Sequence, residues 1–268
     1  MSEPYHPLLD FALELAQTAT TRIKPYYQNC TVSQKSDGSE VTEADREAEI
    51  IMRQMITERF PEHNILGEEF GASQTSTTPY CWVLDPVDGT AWFALGTPLF
   101  GTLVALLEND EPVIGVINFP MLDETVYAVK GEGCWFKTGA GAPICLQVSD
   151  GVSLSQAYAS ASGVHNSDIR PAAEGVSYNL SALLRQAGRF RFCGDCMQYA
   201  LVCRGRIQLA FDPVMKPWDI AAIVPCIEEA GGVVTNLTGN REKIVYGGSL
   251  LASCDPALHQ EALKLLQP

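Results

Sequence analysis

Apolar residues recur at Leu8, Leu9, Ala12, Leu15, Ala16, Ala19 and Ile23, a three-to-four spacing that predicts one amphipathic helix ended at Pro25. A polar stretch over residues 33–40 follows, with the turn pair Asp37-Gly38. Thr42-Glu43-Ala44-Asp45 then reads as a capping box that opens a second helix. That helix carries Ile51, Met55 and Ile56 inward and stops before Pro61. Two helices are therefore expected before any strand. Beyond them the period shortens. Residues 81–84, 99–108, 113–119, 125–129 and 144–148 are short apolar or alternating runs divided by turn residues, and the gap at 109–112 is hairpin-sized. A largely antiparallel sheet is expected there. Past a Ser/Gly-rich stretch at 149–155 the pattern alternates. Strands are expected at 157–160, 190–193, 207–211, 233–235 and 250–253, and helices at 180–187, 197–204, 220–230 and 258–265. This predicts an α+β half over 1–152 and an α/β half over 153–268, the latter with a mixed or parallel sheet layered with helices.

The chain has 268 residues, 46% of them hydrophobic, enough for one large core or two stacked smaller ones. Its 18 Lys+Arg stand against 32 Asp+Glu, a net charge of −14. That balance argues against nucleic acid or an anionic membrane as partner. No apolar run reaches the roughly 18 residues a membrane span needs, and residues 1–30 lack a basic start followed by an apolar core. A cytoplasmic enzyme acting on a small molecule is the expectation. The nine cysteines are scattered through apolar stretches, as suits small buried hydrophobes in a reducing compartment. Cys193-Gly-Asp-Cys196 has the spacing of a redox pair, yet the four histidines form no zinc-binding cluster with it. Two thiols at a strand–helix junction is the preferred reading.

The chain lacks a phosphate-binding P-loop, a nucleophile elbow and a complete dinucleotide fingerprint. Carboxylates are left, at unusual places. Trp82-Val83-Leu84-Asp85-Pro86-Val87-Asp88-Gly89-Thr90 is an apolar strand ending in two aspartates three apart. An Asp-Pro turn followed by an aspartate helix cap would suffice locally. However, an unpaired carboxylate at the end of a buried strand is costly, and a hard divalent cation relieves that cost. Both carboxylates and the Val87 carbonyl can then face one ion, while the amides of Gly89 and Thr90 point out at a helix start, ready for phosphate. Gly67-Glu68-Glu69 and Lys216-Pro217-Trp218-Asp219 add further acids, each with a local alternative: exposed loop acids for the first, an N-cap at Asp219 for the second. Together these carboxylates suggest a multi-metal hydrolase.

The set Gly67-Glu68-Glu69, Asp85-Pro86-Val87-Asp88-Gly89-Thr90, Trp218-Asp219-Ile220-Ala221 and Glu229-Ala230-Gly231-Gly232 resembles the inositol monophosphatase family, in that family's order and over nearly the whole chain. The resemblance implies a layered αβαβα sugar-phosphatase fold of the fructose-bisphosphatase type and a magnesium-dependent phosphomonoesterase using two to three Mg²⁺ ions. It further implies that Glu68, Asp85 and the Val87 carbonyl hold a first ion. Asp85 would bridge to a second ion shared with Asp88 and Asp219, and Glu68 would share a weaker third. Thr90, bonded to Asp45, would position or deprotonate the attacking water, and Lys35 would lie near the phosphate beside the Gly89 and Thr90 amides. A homodimer is implied as well.

Substrate choice in such a fold lies around Gly194-Asp195 and Asp212. Two carboxylates beside a leaving-group pocket favour a cationic alcohol. Gly194-Asp195-Cys196, Leu99-Phe100-Gly101-Thr102-Leu103 and the run from Asp212 to Asp219 are similar to the histidinol-phosphatase branch, which implies L-histidinol phosphate as substrate and a place in histidine biosynthesis. Ala91-Trp92 departs from that branch, where a basic residue commonly follows Asp-Gly-Thr. The alternatives are an inositol-phosphate or broad sugar-phosphate phosphatase, a non-catalytic metal- or phosphate-binding domain, and Asp195 as a mere helix cap.

Overall fold

A computed structural model describes residues 5–29, 31–34, 40–74, 77–173 and 177–267; Lys35 and the Asp37-Gly38 turn lie outside them. Helix α1 (His6–Ile23) buries the face read from its spacing, Leu8, Ala12, Leu15, Ala16, Ala19 and Ile23. A short antiparallel pair, β1 (Ser33–Gln34) and β2 (Glu40–Val41), comes next. It corrects the expectation of two helices before any strand, since two-residue strands are too short to show a period. Helix α2 (Glu43–Arg59) opens with the expected capping box.

Eight strands form the first sheet: β3 (Asn64–Gly67), β4 (Gly71–Ser73), β5 (Tyr80–Asp88), β6 (Gly101–Glu108), β7 (Glu111–Phe119), β8 (Glu124–Val129), β9 (Cys134–Thr138) and β10 (Ile144–Leu146), with α3 (Thr90–Ala94) inserted after β5. Its order is β10-β9-β8-β7-β6-β5-β3-β4, and only β3 and β5 run parallel. Strands β3, β4 and β9 are absent from the pattern read in sequence. Each is short and bordered by glycine, so alternation never develops over enough residues.

Five strands form the second sheet, with order β12-β11-β13-β15-β14. Along the chain its elements are β11 (Tyr158–Ala161), α4 (Leu180–Gln186), β12 (Arg189–Phe192), α5 (Asp195–Cys203), β13 (Leu209–Asp212), α6 (Pro217–Ala221), α7 (Ile223–Glu229), β14 (Val233–Thr235), β15 (Leu250–Ser253) and α8 (Pro256–Leu266). Strand β11 pairs in parallel with β12 and β13, while β15 pairs antiparallel with β13 and β14, so this sheet is mixed as expected. The single helix expected at 220–230 is instead two, broken at Ala222. Pro225 explains the break, because its ring offers no amide to the carbonyl four residues back and clashes with it.

Alternation along the central strands sorts the core into layers. Trp82, Leu84, Val104 and Leu106 face α1 and α2, while Val83, Leu103, Ala105 and Leu107 face a layer made of α5, α6 and α7. The far side of that helical layer meets the second sheet through Ala210, Val234 and Ala252. The outer face of the second sheet, with Ala159, Phe211 and Leu251, is covered by α4 and α8. The result is a helix–sheet–helix–sheet–helix stack.

Candidate metal and phosphate site

Strands β3 and β5 run parallel, and their pairing stops with Gly67 opposite Leu84 while β5 continues. The next residues, Glu68 and Asp85, therefore stand side by side where that pairing stops, and the Glu68 amide donates to the Leu84 carbonyl at 3.2 Å. Asp85 and Asp88 are three apart, which in a regular strand points them to opposite faces. Here the register against β6 slips: Asp85 pairs with Leu103 and Asp88 with Gly101. The extra residue turns both carboxylates to one face. Asp219 arrives from α6, which packs on β5 and β6. Carboxylate oxygens of Asp85, Asp88 and Asp219 lie within 4.8 Å of one another.

Asp85 and Asp88 are 2% and 8% exposed. Among the described residues no lysine or arginine forms an ion pair with either of them or with Asp219. Burial, then the neighbouring acids, pushes Asp85 and Asp88 well above the usual carboxylate range; Glu68 is the first of those neighbours for Asp85 and Asp195 for Asp88. Burial also lifts Asp219 to about 7, although the Lys216 amide, donating to its Oδ2 at 2.7 Å, opposes the rise. Like charges gathered out of water without a counter-ion are the electrostatic signature of a cation site. The donor set, all hard oxygen, fits Mg²⁺. The Val87 carbonyl lies in the same turn and accepts from Thr90 Oγ1 at 3.0 Å.

Asp219 proves to be not the N-cap but the third residue of α6, reaching back to the amide of Lys216, which is the N-cap. One carboxylate oxygen closes the helix and the other is left to the cluster. Asp45 divides its work in the same way. Its Oδ2 accepts from the Thr42 amide at 2.9 Å and the Thr42 hydroxyl at 2.5 Å, while Oδ1 faces Thr90 Oγ1 at 3.4 Å. Burial raises the Asp45 carboxyl, and the two Thr42 bonds hold it down. Gly89, at φ 84, makes the left-handed turn from β5 into α3, and the opening residues Gly89 and Thr90 carry amides that no preceding turn of helix can satisfy.

Across the cleft, Gly194 and not Asp195 is the N-cap of α5, and the Asp195 side chain makes no capping bond. The helix-cap alternative for Asp195 is thereby removed. Burial and then Asp212 raise its carboxyl to about 6, against Trp92 and His165, which hold it down. Asp212 ends β13 and accepts from the Val214 amide at 3.2 Å and faces His165 Nε2 at 3.2 Å; that contact is the main reason the His165 pKa is raised. Cys196, one residue on, donates its amide to Asp88 Oδ2 at 2.6 Å and so ties α5 to the acid cluster. Its thiol packs where a Cβ on Gly101 would stand, is fully buried and is pushed well above its usual value. Redox exchange needs an accessible thiolate, so Cys193 and Cys196 are two free thiols at a strand–helix junction.

Three contributors escaped the sequence pattern. Glu49, completely buried on α2, accepts from the Glu69 amide at 2.7 Å, the Phe70 amide at 3.2 Å and Arg53 Nε at 2.7 Å, holding the Glu68 turn in place. Its signal was available: Asp45, Glu49 and Arg53 stand four apart on the helix face that also carries Ala48, Met52 and Ile56. His165 and Ser162 come from the loop after β11 and gave no signal. The buried Ser162 hydroxyl has no hydrogen-bond partner among the described residues, beside the Gly194 turn.

The inositol monophosphatase family model matches residues 5–268. The chain belongs to the inositol monophosphatase family. It is similar to the histidinol-phosphatase of Chlorobaculum parvum, 38% identical over 250 residues and 92% of each chain. It is also similar to the histidinol-phosphatase of Mycobacterium tuberculosis, 35% identical over 263 residues, 97% of this chain and 98% of that one. Among solved structures, an inositol monophosphatase from Zymomonas mobilis superposes with a TM-score of 0.83 at 29% identity, covering 98% of this chain and 99% of its own. The five layers are those of this family's sugar-phosphatase fold, and the chain is a phosphoric monoester hydrolase.

Proposed function

We propose that this member of the family is a Mg²⁺-dependent phosphatase of a small cationic alcohol phosphate, with L-histidinol phosphate as its substrate. The observation that carries the hydrolytic site is the slipped register that turns Asp85 and Asp88 to one face beside Asp219, with the Gly89–Thr90 turn directly after. Glu68, Asp85 and the Val87 carbonyl would hold a first Mg²⁺. Asp85, Asp88 and Asp219 would hold a second, and Glu68 would share a third. Bound there, magnesium lowers the pKa of water and neutralises charge on the phosphoryl oxygens. The amides of Gly89 and Thr90 would receive the phosphate, and Lys35, outside the described residues, is the basic residue that the family resemblance would add there. Thr90 Oγ1 orients the attacking water in line with the leaving alcohol and relays its proton toward Asp45 Oδ1. The water oxygen would bond to phosphorus as the bond to the alcohol oxygen breaks, and the departing alkoxide would take its proton from a solvent water, which balances the proton passed toward Asp45.

The choice of alcohol rests on Asp195 and Asp212, two carboxylates near enough for Asp212 to help raise the Asp195 carboxyl. L-histidinol presents an ammonium and a protonatable imidazole to them, and a charge-assisted pair in a partly desolvated pocket outweighs a neutral hydroxyl contact. The similarity to histidinol-phosphatases supports the same choice. The test is phosphate release with Mg²⁺ from L-histidinol phosphate, inositol 1-phosphate and a sugar phosphate side by side. A kcat/KM at least roughly tenfold higher for histidinol phosphate is expected, about 1.4 kcal/mol of discrimination. Comparable values for all three would make this a broad phosphatase. Release from none would overturn the hydrolytic site as assigned.

A further inference from the structure

Trp92 stands two residues beyond Thr90, on the short helix that follows the phosphate-side turn, and is half-buried. The Cδ1–Nε1 edge of its indole lies between two glycines. A Cβ on Gly89 would come within 3.3 Å of Trp92 Cδ1, and one on Gly194 within 3.1 Å of Trp92 Nε1. The same Cβ on Gly89 would come within 2.9 Å of Asp195 Oδ2. The Asp195 carboxylate thus reaches back from α5 over the Gly89 turn to the point where the indole edge also stands, and the indole holds its pKa down. Its own backbone stands at φ 47 behind Gly194 at φ 76, an uncommon conformation that its helix does not need for capping.

Asp195 stands among the acids Asp212, Asp88 and Asp219, with His165 opposing them, and that repulsion favours turning the carboxylate away. An indole N–H counters that tendency. It is a donor only, so it donates to a carboxylate oxygen and offers no acceptor to a carboxylic acid proton. It is also neutral, so it aims the carboxylate without cancelling the charge, as a lysine or arginine at this place would. We infer that Trp92 is the positioning residue that holds Asp195 as an anion between the phosphate turn and the leaving-group pocket, and so sets the preference for a cationic alcohol. This inference rests on the function proposed above.

The test measures kcat and KM with Mg²⁺ for L-histidinol phosphate and for p-nitrophenyl phosphate, whose leaving group carries no cation, in wild type, Trp92→Phe, Asp195→Asn and the double variant. Trp92→Phe is expected to raise KM for histidinol phosphate roughly tenfold, to leave its kcat within about twofold, and to leave p-nitrophenyl phosphate unaffected. In the Asp195→Asn background it is expected to add nothing, because its effect passes through that carboxylate. Trp92→His, which restores a ring N–H, is expected to recover part of the loss. Equal losses on both substrates would make Trp92 a support of α3 only, and additive losses in the double variant would remove Asp195 from the account. Should the Phe variant fail to fold, the indole N–H resonance of Trp92 is expected to move between wild type and Asp195→Asn, and an unmoved resonance overturns the contact. A wild type without preference for histidinol phosphate overturns the substrate proposal and takes this inference with it. A wild-type preference that Trp92→Phe keeps overturns this inference alone.

Discussion

Asp88 has two neighbours with opposite needs: the Cys196 amide requires an acceptor, and the acid cluster requires a counter-ion. An asparagine meets the first need and not the second. Asp88→Asn is therefore expected to lower Mg²⁺-dependent kcat by about a hundredfold or more, with an unchanged circular dichroism spectrum; near wild-type turnover would sink the metal assignment. His259 on α8 shows the reverse case, a titratable group placed for structure. It is buried between Thr235 Oγ1, 2.8 Å from Nε2, and Ser253 Oγ, 2.9 Å from Nδ1, and burial lowers its pKa from 6.5 to about 4. Between those values the unfolded chain binds a proton that the folded one refuses, so stability falls as pH drops through this window. The contribution is on the order of 3 kcal/mol at full extent. Urea midpoints at pH 7.5 and pH 5 are expected to converge for wild type and His259→Gln on acidification, since the variant lacks this term.

At the scale of elements, the site depends on how the ends of strands and helices are tied. Glu49 fastens the turn after β3 to α2, and its removal takes away the carboxylate to which the Glu69 and Phe70 amides and Arg53 Nε donate, while the Arg53 Nη atoms keep Gly71 and Ser73. Glu49→Ala is expected to destabilise by about 3 kcal/mol in urea unfolding and to lower kcat through the displaced Glu68 turn. Glu49→Gln, which keeps one acceptor oxygen, should lose less of both. Strand β7 meets the α6–α7 junction at Gly115, where a Cβ would stand 2.1 Å from the Ala222 carbonyl. Backbone cannot swing aside as a side chain does, so Gly115→Ala is expected to cost about 1–3 kcal/mol of stability, read as a lower urea midpoint.

Over the whole molecule, a chain of net charge −14 gathers several of its acids in one place out of water. Asp85, Asp88 and Asp219 all have raised pKa values without a cation. In the metal-free protein the folded state then holds protons that the unfolded chain releases, and stability falls as pH rises through those folded values. Magnesium held by the folded carboxylates, as proposed, would reverse this. The rise in melting temperature from EDTA to Mg²⁺ is expected to be larger at pH 8 than at pH 5.5; an equal rise at both would place the bound ions elsewhere. Among the described residues no helix is long and apolar enough to cross a membrane. The homodimer implied by the family resemblance is tested by sedimentation, which separates the 29.1 kDa chain from twice that mass.

Local physics made much of this legible before any coordinates. The period of α1, the capping box at Thr42–Asp45, the antiparallel run from β5 to β8 and the alternation after residue 157 each depend on neighbours within a few positions, and each stands in the structure. Asp85, Asp88 and Asp219 were visible as acids at element junctions, because a charge at the end of an apolar strand conflicts with its surroundings. What sequence could not determine is everything that depends on residues meeting from far along the chain. Two aspartates three apart share a face only because β5 slips against β6. Glu68 joins them only because β3 lies parallel to β5. Trp92 reaches Asp195, and Glu49 the Glu68 turn, across separations for which a linear pattern carries no information. Periodicity reports which side of an element is buried, whereas pairing register and layer packing decide what that side is buried against.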